Sequence, residues 1–537
     1  MGHAHDYADA ILHRGRTPME PVDFVPDWAD RPRKAKFYPG AQVLPLPDPA
    51  GAGAAGPGFT LPLLSGMLQD SYGLTGRRLG VQANTDLAAL PHYTQANWSR
   101  GTASGGGLYP VSVYWAAGAG GPLTPGLYHY APHRHAVGRL LTGDVTGEVH
   151  RALGTAGPGH GHYLVLGVKY WQNAFKYNSF SFHAVSMDVG ALLQTWRLWA
   201  APRGLRIAPL LWFDEERLAR LLGVGAREEG IFAVVPLEWA GEPEAGEPEA
   251  GGPDPAHRPG AGGAGGGPGE APAADRSPAV THQDVERSRT VLEFETLHRI
   301  HEATLGRAGD RPAPGALDAA AALPPRGGDP VPLPPPAAAP LGVDGALRAR
   351  RSSFGRFDGG REVTAGQLAA ALADCAATSV GSEAEGPDGP RLPALYAFVN
   401  HVEGVAPGAY AYDPAAHALR PVVPGPPGPF LQRTYFLSNY NLEQAGAVLV
   451  PTVRTTAVLD AVGDRGYRLV NATIGALAQT FYTTAAAHGL GAGVALGFDN
   501  ISYIEELGLA GTGEAPLLIM LLGHERPGPA DFRHEIA

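Results

Sequence analysis

A chain of 537 residues exceeds a single hydrophobic core, so two or more domains are expected. Its net charge of -11 argues against nucleic acid as the main partner, and its one cysteine, Cys375, rules out intramolecular disulfides and cysteine-based metal sites. The N-terminus has no apolar signal-peptide core and no apolar run approaches ~18 residues, so no membrane segment is expected and the default location is the cytoplasm.

Residues 1–58 read as an N-terminal arm: a short helix over 7–13, then proline-rich extended chain. Residues 59–240 read as a first globular region. Within it stands Arg100-Gly101-Thr102-Ala103-Ser104-Gly105-Gly106-Gly107-Leu108-Tyr109-Pro110. The three glycines remove Cβ atoms, so the backbone can lie flat against a large planar ligand. Ser104 and the loop N–H groups can bond the edge of that ligand. Leu108, Tyr109 and Pro110 pin the end of the loop ahead of a β-prone run. Further on, residues 185–200 are apolar nearly all round, which predicts a buried helix. Asp188 is out of place inside it: either it hydrogen-bonds within the interface or it faces a substrate channel.

Residues 241–281 are rich in Gly, Pro, Glu and Ala and read as a disordered linker. Residues 282–307 carry Val285, Val291, Leu292, Phe294, Leu297, Ile300 and Leu305 at roughly helical spacing, predicting one connecting helix. A second Pro/Ala-rich linker covers 308–340. A second globular region, 341–528, opens with Arg350-Arg351-Ser352-Ser353-Phe354-Gly355-Arg356. Paired guanidinium groups and hydroxyls at the start of a region suit a phosphate. A solvated basic segment is the plainer alternative.

The two regions repeat each other. Pro125-Gly126-Leu127-Tyr128 answers Pro407-Gly408-Ala409-Tyr410, Gly190-Ala191-Leu192 answers Gly475-Ala476-Leu477, and Phe213-Asp214 answers Phe498-Asp499. From Gly190 onward the spacing is constant, which marks a duplication. The expected fold is α+β, two copies of one domain forming an internal pseudo-dimer, with residues 469–487 as the second buried helix.

At these motifs the chain resembles the tandem nitroreductase-fold proteins of the SagB/McbC type, FMN-dependent azoline dehydrogenases of ribosomal peptide natural-product clusters. It looks closest to those of thiopeptide pathways. The family's Arg-x-x-Pro-Ser-Ala-Gly-x-Leu-Tyr-Pro-like loop is matched by Arg100 to Pro110, with Ala103 in place of the proline. Its Lys-Tyr pair is matched by Lys176-Tyr177. The resemblance implies FMN held by Arg100, Ser104, Gly105, Gly106, Gly107 and Leu108 from the first half. From the second half it implies Arg350, Arg351, Ser352, Ser353, Arg356, Leu496, Gly497 and Arg526. It assigns Lys176 and Tyr177 to catalysis; on the residues alone they read as a surface charge and a core aromatic.

The halves are not equal. The family's glycine at the flavin edge falls at Gly497, whereas its repeat partner is Trp212, and the second half reads Ser382-Glu383-Ala384-Glu385-Gly386 where the glycine loop is due. One working FMN site and one dead pseudo-site are expected, and no metal. The implied partners are an azoline-containing precursor peptide and a cyclodehydratase or leader-binding protein. The runner-up functions are an NAD(P)H-dependent nitro- or quinone reductase and a non-catalytic scaffold.

Overall fold

The structure, a computed structural model, describes residues 2–48, 58–79, 96–154, 159–240, 277–386, 389–527 and 532–535. Each half builds an antiparallel sheet from the same succession of elements. In the first, the β-branched and aromatic strand Val111–Ala117 lies centrally. Gly126–Ala131 and Ala136–Thr142 follow on one side, His162–Lys169 and Glu229–Leu237 on the other. In the second, Pro393–Val399 takes the central place, with Gly408–Asp413 and Ala418–Pro424 on one side and Ala447–Val453 and Ile519–Gly523 on the other.

The agreement extends to irregularities. Both hairpins shift register at the same repeat position, between Leu127 and Tyr128 and between Ala409 and Tyr410. Both hairpin turns end on a histidine of positive φ, His135 at 44° and His417 at 47°. Each histidine meets a tyrosine hydroxyl through Nδ1, that of Tyr130 at 3.0 Å and that of Tyr412 at 2.9 Å. A short strand from the preceding chain extends each sheet, Gln42–Pro45 in the first and Val331–Pro332 in the second.

The two apolar segments are helices, Ser181–Ala200 and Gly466–Ala487, and they cross at the junction of the halves. Two glycines at equivalent repeat positions set the crossing. A Cβ on Gly190 would stand 1.9 Å from the Ala472 carbonyl oxygen, and one on Gly475 would stand 1.9 Å from that of Met187. The contact is therefore self-complementary, as across a two-fold axis, and the halves form an internal pseudo-dimer. Leu192, Leu193, Leu469 and Leu477 are fully buried beside it, each side chain worth about 1.5–3 kcal/mol of transfer free energy.

The connecting chain departs from expectation. Only Glu295–Leu305 of the segment 282–307 is helical. Residues 277–294 run along the first half, with Val280 N–H bonded to the Leu221 carbonyl and Val285 N–H to that of Phe37. Asp284 and Glu286 reach Lys169 at 2.5 and 2.6 Å, and Asp30 accepts the N–H groups of Arg289 and Thr290. These tertiary bonds override the helical spacing, and Val285, Val291 and Leu292 stay exposed. Residues 308–340 also pack rather than hang free: Ala322, Leu333 and Ala337 bond to Arg391, His417 and Gly366 of the second half. Most of the linker expected at 241–281 lies outside the described residues.

The arm begins with the helix His3–His13. Tyr7 on it packs edge-on against Phe182 and Tyr467, one from each central helix, and donates to the Ser179 carbonyl at 2.7 Å. Among the described residues no helix is long and apolar enough to cross a membrane, and no group of acidic, histidine or cysteine side chains could hold a metal ion.

Candidate active site

A cavity of about 1480 Å³ opens where the two halves meet. Drug-sized ligand sites measure about 300–1,000 Å³, so it has room for a planar cofactor and part of a second molecule. Both halves and the arm supply its walls.

The glycine loop forms one wall. It turns through Gly106 and Gly107, at φ 62° and 64°. Both central helices grip it from behind. Thr102 donates its hydroxyl to that of Thr195 at 2.9 Å. Gln479, from the other half, accepts the Ala103 N–H at 2.9 Å and donates to the Gly101 carbonyl at 3.1 Å. Asp188 accepts the Ser104 hydroxyl at 2.7 Å and the Gly105 N–H at 2.8 Å. Burial pushes the Asp188 carboxyl up to about 7, against both hydrogen bonds, which favour the anion.

Lys176 and Tyr177 end the helix Trp171–Tyr177, and both line the cavity. They stand against the loop: a Cβ on Gly106 would lie 2.8 Å from Lys176 Nζ and 2.6 Å from the Tyr177 hydroxyl. Lys176 Nζ lies 4.7 Å from the Tyr177 ring centroid and 5.8 Å from that of Trp28. No ion pair engages Lys176 among the described residues.

The second half supplies the facing wall, where Arg351, Ser352 and Arg356 gather with Tyr440 and Tyr482. Ser352 and Tyr482 share a hydrogen bond of 2.8 Å, and the buried Tyr440 hydroxyl lacks a well-formed bond of its own among the described residues. Two guanidiniums and three hydroxyls make a donor set suited to a phosphate. Glu525 pairs with Arg351 and offsets part of that charge.

Several expected site residues hold structure, Arg350 and Arg100 while also lining the cavity, and Ser353, Leu108 and Arg526 from outside its wall. Arg350 is buried, and its guanidinium donates to the Gly101 and Arg100 carbonyls at 2.8 and 2.9 Å. It ties the second half to the loop of the first. Arg100 is buried too, donating to the Tyr72 carbonyl at 3.0 Å with its guanidinium carbon 4.2 Å from the Tyr109 ring centroid. Ser353 is fully buried and accepts the Ala492 N–H at 3.0 Å, so it anchors the strand Gly491–Ala495 instead of facing the cavity. Leu108 is buried off the wall, and Arg526 is exposed beyond it, joined to Arg356 by its backbone. Short hydroxyl and guanidinium side chains in a run read alike in sequence, and only the turn of the backbone separates wall from support.

Sequence reasoning missed the cavity's contributions from the arm, Arg14, Arg33 and Lys34, and the hydroxyls of Tyr440 and Tyr482. None sits in a motif. Asp188 carried one signal, a lone charge inside an apolar helix.

The two pseudo-equivalent sites differ at one backbone position. Leu496 and Gly497 line the cavity, and the Gly497 N–H has no acceptor among the described residues. Its counterpart, the Trp212 N–H, donates to the Glu383 carboxylate at 2.7 Å, and Leu211 N–H adds a bond of 2.8 Å to the same group. Glu383 thus fills from within the place that stays open in the other half, and Trp212 is fully buried over it.

A crystal structure from Anabaena variabilis, provisionally assigned as a nitroreductase, matches 98% of this chain and 100% of its own, at 22% identity and a TM-score of 0.71. The fold is that of the nitroreductases. Residues 348–524 also match the model of the Nitroreductase family. Shorter matches are a nitroreductase provisionally assigned from Ralstonia eutropha, covering 38% of this chain and 96% of that one at 21% identity and TM-score 0.30, and the E. coli microcin synthetase McbBCD complex with truncated pro-MccB17, covering 37% and 78% at 17% identity and TM-score 0.28. No curated protein matches the sequence.

Proposed function

We propose that this chain is an FMN-dependent dehydrogenase that oxidises thiazolines or oxazolines of a peptide to the aromatic azoles. The observation that carries the reading is the contact of Lys176 and Tyr177 with Gly106, on the wall of a cavity built by both halves of a nitroreductase fold. Simple reduction of a nitro group or quinone gives no reason for a lysine–tyrosine pair at that position.

The residues present fit FMN. Arg351, Arg356, Ser352 and Tyr440 would hold the phosphate, and the open N–H of Gly497 and the Cβ-free loop Gly105–Gly107 would flank the ring system. Bound there, FMN would supply the hydride acceptor. The chain's own part is the proton. Aromatising an azoline removes a ring hydride and a ring proton, and Tyr177 with Lys176 beside it is the group that takes the proton. Lys176 Nζ lies 4.7 Å from the Tyr177 ring centroid, so the pair acts as one unit in receiving that proton. Gly106 leaves both side chains room at the loop; any Cβ would displace them.

The substrate enters past an apolar rim. Phe354, Phe436 and Leu437 line the cavity yet are 44%, 48% and 55% exposed. Such a rim suits the flanking side chains of a peptide better than a small polar reductase substrate. A cyclodehydratase or leader-binding partner would install the azoline and deliver the peptide, in the cytoplasm. Mass spectrometry of an azoline peptide incubated with the flavin-loaded protein tests the reading. A loss of about 2 Da per ring is expected. An unchanged peptide with rapid NAD(P)H oxidation would favour the reductase, and a colourless protein the scaffold.

A further inference from the structure

We propose that Asp188 is a positioning residue whose proton decides where the Ser104 hydroxyl points, at the carboxylate or into the cavity. The inference rests on reading this cavity as the active site.

Asp188 is the one carboxylate of the helix Ser181–Ala200, only 6% exposed and on the cavity wall. Its Oδ2 accepts the Ser104 hydroxyl at 2.7 Å, and Oδ1 accepts the Gly105 N–H at 2.8 Å. Ser104 Oγ in turn accepts the Tyr109 N–H at 2.8 Å. A hydroxyl has one hydrogen and two lone pairs. While Asp188 is ionised, that hydrogen is spent on the carboxylate and the loop offers the cavity no hydroxyl donor.

Protonation reverses the arrangement. A proton taken up from water on Oδ2 makes that oxygen a donor, and Ser104 Oγ accepts it. The lone pairs of Ser104 are then filled by Asp188 and by the Tyr109 N–H. Its own hydrogen must turn away from both, and the open side is the cavity. One proton is gained, and no other bond is made or broken.

The surroundings place this exchange near neutrality. The ionisable groups about Asp188 are Tyr72, at the end of the helix Leu61–Ser71, with Arg100 4.9 Å from its ring centroid. Lys176 and Tyr177 lie across Gly106, and Arg350 and Arg351 stand on the facing wall. From the other central helix come Gly475 and Ala478, which carry no charge. No ion pair engages Asp188 among the described residues, so burial dominates and raises the carboxyl to about 7. At the equivalent repeat position the second half has Thr473, which cannot titrate, in the half whose pseudo-site Glu383 closes.

The test is a difference-infrared titration of the full chain without flavin or peptide, in a Glu383→Gln background because that carboxyl is also raised. The protonated-carboxyl band should vanish with a midpoint of about 7 and be missing in Asp188→Asn. Ser104→Ala removes a bond to the anion, so the midpoint should rise by about one pH unit, tenfold in proton affinity. A background protein with no carboxyl titrating near neutrality would overturn the proposal, as would a Ser104→Ala midpoint left in place. Neither reading needs azoline chemistry, so the proposal can fail while the dehydrogenase reading stands, and the reverse.

Discussion

Gly106 and Tyr177 leave no space between them: a Cβ on the glycine would stand 2.6 Å from the tyrosine hydroxyl, and the glycine's φ of 62° disfavours any side chain. The loop and the lysine–tyrosine pair therefore form one unit. Gly106→Ala should impair turnover about as much as loss of the pair, while Gly107→Ala, with nothing within 4 Å of its Cβ, should cost only backbone strain. Lys176→Ala and Tyr177→Phe should each slow ring oxidation roughly a hundredfold or more and keep the flavin. Flavin content and oxidation rate measured on the same preparations check this. A Lys176→Ala protein that lost flavin but oxidised normally when resupplied would make the lysine a binding residue.

Arg351 and Arg350 should separate in behaviour. If Arg351 holds the phosphate as proposed, Arg351→Ala should lose flavin and regain part of its activity with excess FMN. Arg350→Ala instead frees the Gly101 and Arg100 carbonyls that join the halves. Excess flavin should restore less of its activity, and its thermal midpoint should fall further. Flavin titrations and melting curves of the two variants decide.

The sequence and the structure meet most closely at the duplication. Gly190 and Gly475 were recognisable as repeat partners, and both prove to be the contact points of the crossing helices, because only glycine admits so close a backbone approach. The two all-round apolar helices and the glycine loop were equally legible. What sequence could not give was long-range pairing. Ser104 and Asp188 lie far apart in the chain, and no local pattern announces their bond. Residues 282–294 keep a helical spacing but obey ion pairs with Lys169 instead. Arg350 and Ser353 sit in a phosphate-like motif, yet Arg350 on the wall spends its guanidinium on backbone carbonyls of the first half, and Ser353 supports the wall from behind.

The crossing itself predicts a symmetric pair of defects. Gly190→Val and Gly475→Val each drive a side chain into a carbonyl of the opposite helix. Overpacking of this kind typically costs about 1–3 kcal/mol. Both thermal midpoints should drop by similar amounts, since the contacts are equivalent. A drop in one alone would argue against the two-fold relation.

Acid should weaken a second junction. Burial disfavours ionised Glu215, but Arg468 and Arg465, each bonded to it at 2.9 Å, hold its carboxyl down at about 2 against an ordinary 4.5. A depressed carboxyl stabilises the fold above its unfolded value and loses that stability as pH falls through the folded one. The thermal midpoint should therefore decline between pH 4.5 and 2. Glu215→Gln leaves two buried guanidiniums uncompensated and should cost about 3–5 kcal/mol at neutral pH, with a flatter acid limb.

Flavin should bind once per chain. Gly497 offers an open N–H, whereas Glu383 and Trp212 close the equivalent place. Flavin released by denaturation and counted against protein should give one per 537 residues. Glu383→Ala alone should not raise the count, because the Trp212 side chain remains. Two flavins per chain would show that neither residue blocks the second site.

The most direct measurement is an anaerobic single turnover. Flavin-loaded protein is mixed with an azoline peptide, and the flavin absorbance and the peptide mass are followed together. The account predicts bleaching of the flavin by the peptide alone, with about 2 Da lost per equivalent bleached. A flavin that stays oxidised with the peptide but is bleached at once by NAD(P)H would contradict it.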